Sequence, residues 1–106
     1  MLLLLLCILI LLFLYCFTEN FSDQIINISI VNYEYKPKHI KIKIGTRVTW
    51  TNFDIIGHTI TSKDDNYLDS QLLDETETYS RVFNTKGTYN YYCIPHPFMK
   101  GVVEVY

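Results

Sequence analysis

The sequence predicts an all-β domain, an antiparallel Greek-key β-sandwich that follows an N-terminal apolar helix. Three observations support this fold class. Apolar and polar residues alternate over several short segments, which is the two-residue period of half-buried strands. The 106 residues contain no alanine but many Ile, Val, Thr and Tyr residues, a composition that favours strands over helices. Turn signals separate these segments at short intervals, as in a sandwich.

The alternation can be followed along the whole domain. Isoleucine occupies every second position from 26 to 30 and again from 40 to 44, and Gly45 and Gly87 mark turns. Segment 63–77 carries six carboxylates and no regular period, so we expect a loop there. The predicted strands are residues 26–35, 40–44, 48–52, 58–62, 79–83, 89–93 and 101–105.

The N-terminal segment is predicted to be a signal peptide or a membrane anchor, because Leu2 to Phe17 contains no charged residue. A helix of this length is slightly shorter than the ~30 Å hydrocarbon layer of a membrane. No Lys or Arg precedes the segment and no Ala-x-Ala cleavage motif follows it, so both interpretations stay open. We divide the chain into a leader (1–17), a linker (18–24) and a domain (25–106). The domain is expected to be exported, either periplasmic or otherwise extracytoplasmic, and attachment of the exported domain to a membrane through residues 2–17 stays open.

Charge and cysteine content exclude several classes of function. Nine basic and eleven acidic residues give a net charge of −2, which argues against a nucleic-acid partner. Cys7 and Cys16 belong to the leader, so Cys93 is the single thiol of the domain. One thiol cannot form an internal disulfide, a four-cysteine zinc site or a Cys-x-x-Cys redox pair.

The segment from Cys93 to Met99 carries the chemistry of the domain. Cys93, His96 and Met99 are spaced three residues apart at the end of a predicted strand, so a short loop can bring them around one ion. Thiolate, imidazole and thioether together suit copper, and a mononuclear blue-copper site needs two His, one Cys and a weak Met. The second imidazole would come from His58, 35 residues before the cysteine. Taken singly, each of these residues is more often ordinary packing.

The Cys-x-x-His-x-x-Met loop, the upstream Gly-His-Thr and the Val-Thr-Trp-Thr-Asn before it resemble the small blue-copper proteins, the cupredoxins, and among them the amicyanin/plastocyanin-like proteins. Tyr33-x-Tyr35-x-Pro37 and Gly87-Thr88-Tyr89 agree with this resemblance, which covers nearly the whole domain. The resemblance implies one type 1 copper ion with His58, Cys93 and His96 as equatorial ligands and Met99 as the axial ligand. It also implies that Asn52 ties the two ligand loops together, and that Gly57 and Pro95 lie beside the ligands.

The same resemblance implies an electron carrier and not an enzyme. Electrons would pass through an apolar patch formed by Pro95, His96, Pro97 and Phe98, to and from larger redox proteins whose identity the sequence does not give. We expect a monomer. The alternative is an extracytoplasmic protein that binds or delivers copper, although such proteins usually have several methionines and this loop offers only Met99.

Overall fold

The computed structural model describes residues 1–19 and 24–106, with side chains for 1–14 and 24–106. Helix α1 spans Leu2–Glu19, and its described side chains are exposed. Most of the linker predicted at 18–24 lies outside the described residues, and the helix takes in its first two positions. Within the described part of the chain, no helix combines the length and the apolarity that a membrane crossing requires.

In the described residues, eight strands form two four-stranded sheets, which confirms the predicted sandwich. The first sheet has the order β2-β1-β4-β6 and the second has the order β3-β8-β7-β5. The strands are β1 (Ile25–Val31), β2 (Glu34–Lys36), β3 (His39–Ile42), β4 (Thr46–Asn52), β5 (Thr61–Ser62), β6 (Thr78–Phe83), β7 (Gly87–Tyr92) and β8 (Lys100–Val105).

The sheets are mixed: most strand pairs are antiparallel as predicted, but two pairs are parallel. Strands β1 and β4 pair in parallel, with Ile28 opposite Trp50, and β3 and β8 also pair in parallel, with Ile40 opposite Val103. The reason is the path of the chain, which leaves the first sheet after β2 and forms β3 in the second. It then returns as β4 in the same direction as β1.

The strand predicted at 58–62 is shorter than expected. Only Thr61 and Ser62 pair with β7, while His58 forms an isolated bridge with Leu73. The backbone of this segment bonds instead to the irregular loop that follows it, through pairs such as Ile60 with Ser70. This arrangement leaves His58 in a loop at the end of the sandwich, where β4, β5 and β7 meet.

The core lies between the two sheets and is centred on Trp50 of β4 and Tyr91 of β7, both fully buried. The Trp50 indole N–H donates to the Tyr91 hydroxyl at 3.2 Å, and the two rings cross at 84°. Tyr35 packs against Tyr91 and reaches from the core toward the loop of His58, where its hydroxyl donates to the Thr59 carbonyl at 2.5 Å. The aromatic core therefore supports the loop directly.

The turn between β1 and β2 has an unusual sequence. It contains two residues, Asn32 and Tyr33, whose φ angles are 53° and 60°. Two-residue hairpin turns of this kind favour Asn followed by Gly, because both positions need positive φ. A tyrosine in the left-handed region costs about 1–2 kcal/mol, so its ring should make contacts that compensate.

Replacement of Gly101 by Ala should destabilise the domain. A Cβ at this position would overlap Cζ and the hydroxyl oxygen of Tyr91, which is buried and cannot move aside. Overpacking of this kind costs about 1–3 kcal/mol. We expect the loss in the free energy of unfolding of the metal-free protein, measured by urea denaturation. Gly57→Ala is the control, because the atoms nearest to its Cβ would be those of Leu72, whose exposed side chain can turn away. Equal stability of the two variants would contradict this account.

Candidate metal centre

The loop between β7 and β8 is folded by its own backbone hydrogen bonds. The His96 N–H donates to the Cys93 carbonyl at 3.2 Å, and the Met99 N–H donates to the His96 carbonyl at 2.9 Å. The Cys93 N–H donates to the Met99 carbonyl at 3.2 Å and closes the loop. These successive turns place residues 93, 96 and 99 on the same side, which is why the spacing of three residues matters.

His58 reaches the same place from the other ligand loop, between β4 and β5. Its backbone exchanges two hydrogen bonds with Leu73, at 3.2 and 2.8 Å. Asn52, the last residue of β4, organises the segment before it. The Asn52 side chain donates to the carbonyls of Ile56 and Leu73, both at 2.9 Å, and accepts the Asp54 N–H at 2.9 Å.

Three ligand atoms converge at this end of the sandwich. His58 Nδ1 and His96 Nδ1 lie 3.2 Å apart, and each lies 3.6 Å from Cys93 Sγ. His58 and Cys93 are each 0% exposed, whereas His96 is partly exposed. These three residues are the one group of His, Cys, Asp and Glu side chains in the described residues that lie close enough to share an ion.

The size of the triangle fits a metal ion. A point equidistant from the three atoms lies about 2.0 Å from each, close to the ~2.0–2.3 Å bonds of imidazole nitrogen and thiolate sulfur to zinc, a metal of similar size. Two imidazoles and one thiolate in a plane are the donor set of blue copper. Met99 is 2% exposed, and its backbone is hydrogen-bonded to both Cys93 and His96, so the residue is a buried part of the same loop.

Thr59 connects the two ligand loops. Its N–H donates to Cys93 Sγ at 3.4 Å, and its hydroxyl oxygen accepts the Ile94 N–H at 2.9 Å. Its carbonyl accepts the Tyr35 hydroxyl. Burial, and then the neighbouring Cys93, raise the pKa of Tyr35, so this hydroxyl stays protonated and keeps donating. The hydrogen bond to sulfur is important because such bonds tune the potential of a copper–thiolate site.

A carboxylate lies behind His58, on the side away from the ligand atoms. Asp54 Oδ2 accepts the His58 Nε2–H at 2.8 Å. Burial acts to raise the pKa of Asp54, but hydrogen bonds from the Tyr33 N–H, His58 and the Asn32 N–H outweigh it, so the pKa lies below its ordinary value. The carboxylate is therefore charged near neutral pH.

His96 brings one ring edge to an apolar surface. Pro95, Pro97 and Phe98 are exposed around it, with Phe98 at 70%. The Tyr33 ring packs edge-on against His96, with centroids 4.9 Å apart, and also lies near Phe98. Tyr33 shares a shallow depression with three further exposed apolar residues, Phe53, Ile55 and Ile56, and so joins them to the patch.

The structure therefore brings His58, Cys93 and His96 together and places Met99 beside them. The described hydrogen bonds of the Asn52 side chain all stay within the region of the His58 loop, so the link between the two ligand loops is made by Thr59 instead. Gly57 packs against Leu72, and Pro95 lies exposed. Sequence reasoning missed Thr59, Asp54 and Tyr33. The one available signal was the position of Thr59, directly after a candidate ligand.

Comparisons with known proteins agree with this geometry. A family model of copper-binding proteins, the plastocyanin/azurin family, matches residues 24–106. The chain is 38% identical over 82 residues to amicyanin-alpha of Methylorubrum extorquens, covering 74% of this chain and 69% of that protein. It is 32% identical over 88 residues to amicyanin of Paracoccus denitrificans, covering 79% and 67%.

Solved structures give the same picture. An amicyanin mutant in its reduced state superposes with a TM-score of 0.72 at 30% identity, covering 80% of this chain and 85% of that one. A copper-containing nitrite reductase from Thermus scotoductus gives a TM-score of 0.73 at 27% identity, but this chain covers only 23% of it. The sandwich and its His–Cys–His cluster define a cupredoxin. The chain belongs to the plastocyanin/azurin family of copper-binding proteins, which confirms the predicted family and its copper cofactor.

Removal of the Thr59 hydroxyl should weaken the connection between the ligand loops. Thr59→Val leaves the Ile94 N–H without its partner, and a buried unpaired donor costs about 1–3 kcal/mol. Thr59→Ser keeps the hydroxyl and is the matched control. Urea denaturation of the metal-free proteins should show the loss in free energy of unfolding for Val and a much smaller loss for Ser. A loss for Ser as large as that for Val, or larger, would contradict this account, because Ser keeps the hydroxyl and lacks only the methyl group.

Proposed function

We propose that this protein is a small blue-copper electron carrier with one mononuclear type 1 site, and that it exchanges single electrons with larger redox proteins. The observation that carries the proposal is the triangle of His58 Nδ1, Cys93 Sγ and His96 Nδ1, in which only the His96 side chain reaches the surface. A buried site with one exposed ligand protects the ion from solvent while leaving a short route for electrons.

In this proposal His58, Cys93 and His96 would hold the copper ion, and Met99 would add a weak thioether ligand. Bound copper supplies a one-electron change between Cu(II) and Cu(I). The chain supplies a donor set that suits both states, since the thiolate and thioether favour Cu(I) and the imidazoles also suit Cu(II). The buried position of Cys93 keeps its thiolate away from other reaction partners.

A rigid site supports electron transfer, because little rearrangement then accompanies the change of charge. Both ligand loops are bonded to each other through Thr59 and to the aromatic core through Tyr35. No buried side-chain nitrogen or oxygen in the described residues lacks a hydrogen-bond partner. Pro95 and Pro97 fix φ on both sides of His96 and stiffen the loop further.

The apolar surface around His96 is proposed as the docking site for the redox partners. Phe98 and Ile55 are 70% and 87% exposed, and their burial against a partner would bring that partner to the His96 ring edge. A small apolar contact suits brief encounters, which a shuttling carrier needs. We further propose that the apolar leader, residues 2–17, directs the domain out of the cytoplasm. The N-terminal residue of the mature protein, determined by mass spectrometry, tests that assignment.

Copper loading tests the function directly. Addition of Cu(II) to the metal-free protein should give an intensely blue product that bleaches with ascorbate and shows a reversible one-electron wave in voltammetry. Cys93→Ser should lose the colour, since the thiolate–copper bond produces it. A colourless wild-type Cu(II) form would reject the carrier. Rapid loss of Cu(I) to a competing chelator, together with slow electron exchange, would favour a delivery protein.

A charge placed on the patch should slow electron exchange. In Phe98→Asp, two copies meeting through this surface would bring like charges together, so the rate of electron self-exchange should fall at least about tenfold at low ionic strength. Tyr106→Asp is the control, because it adds the same charge beyond the far end of β8. NMR line widths of mixed Cu(I) and Cu(II) protein give both rates. Equal rates would place the electron route elsewhere.

A further inference from the structure

Asp54 is a charged group held next to the metal centre by three hydrogen bonds. Its Oδ2 accepts the His58 Nε2–H at 2.8 Å and the Tyr33 N–H at 2.9 Å. Its Oδ1 accepts the Asn32 N–H at 2.8 Å. Only 13% of its side chain is exposed, and the side chain of His58 is fully buried. This carboxylate therefore faces His58 and two backbone donors, with little access to water.

The two backbone donors come from the unusual turn between β1 and β2. Because Asn32 and Tyr33 both have left-handed backbones, their successive N–H groups point to the same side, and both meet the Asp54 carboxylate. The ring of Tyr33 then packs edge-on against His58 and His96, with centroids 5.3 and 4.9 Å away. These contacts explain why tyrosine occupies position 33, where the positive φ would ordinarily favour glycine. The turn thus holds both Asp54 and the two imidazoles.

The position of Asp54 determines which ring nitrogen of a neutral His58 carries the hydrogen. A neutral imidazole that donates from Nε2 has no hydrogen on Nδ1, so the Nδ1 lone pair faces Cys93 and His96. A carboxylate behind a ligating histidine also increases the basicity of the ligand. Its negative charge lies directly behind the His58 ring and stabilises the more positive of two ion states.

We propose that Asp54, clamped by the Asn32–Tyr33 turn, is a positioning residue that keeps His58 ready to bind metal and lowers the reduction potential of the site. This inference rests on the proposed function for its second half, since the potential is that of bound copper. The orientation of His58 by Asp54 is a property of the metal-free chain as well.

Asp54→Asn tests the electrostatic part. The variant removes the charge with little change in size. At a fixed applied potential, the ratio of Cu(II) to Cu(I) should therefore fall about tenfold. For a one-electron couple, this change corresponds to a rise of 59 mV in the midpoint potential. Asp64→Asn removes the same charge from an exposed loop and is the control. Equal midpoints for the two variants, or a lower midpoint for Asp54→Asn, would overturn the proposal.

A second measurement needs no copper and no variant. Nitrogen-15 NMR of the metal-free wild-type protein should show His58 protonated on Nε2 and bare on Nδ1, with an Nε2–H that exchanges slowly with water. Protonation on Nδ1 instead would overturn the positioning role. If wild-type protein shows no one-electron copper wave, the proposed function fails, and this NMR result alone then decides whether Asp54 orients His58.

Discussion

The metal centre depends on the hydrogen bonds of one residue, Thr59, between two loops that are 35 residues apart in the chain. Each polar group of Thr59 has a different partner, since the N–H donates to the Cys93 sulfur, the hydroxyl accepts the Ile94 N–H, and the carbonyl accepts the Tyr35 hydroxyl. The distance between His58 and Cys93 is therefore set by rigid, buried contacts. Without them, the two ligands would belong to loops free to move independently.

The aromatic core explains why this arrangement can be rigid in a domain of such modest size. Trp50, Tyr91 and Tyr35 form one connected group that runs from the centre of the sandwich to Thr59. Burial raises the pKa of Tyr91 as it does that of Tyr35, so both hydroxyls remain neutral donors or acceptors inside the core. The aromatic group of the core thus supports the polar contacts of Thr59 through the Tyr35 hydroxyl.

Sequence reasoning found the parts of this site that have a local signature. The loop from Cys93 to Met99 brings its ligands together through hydrogen bonds within seven residues, so spacing alone predicted it. His58 was predicted only because a blue-copper site needs a second imidazole, since nothing local connects it to Cys93. Asp54 and Tyr33 could not be found, since their carboxylate and N–H groups meet across 21 positions of the chain and through a left-handed tyrosine. Alternation of apolar residues likewise predicted the strands but not their direction, so the parallel pairs of β1 with β4 and β3 with β8 were missed.

The parallel pairing of β3 with β8 has a consequence for folding during synthesis of the protein. Strand β8 occupies an interior position of the second sheet, and its neighbour β3 precedes it by about sixty residues. That sheet stays incomplete on the ribosome until the last strand emerges, and such long-range closure is intrinsically slow. Until then the second sheet lacks one of its interior strands, so the core between the two sheets cannot close.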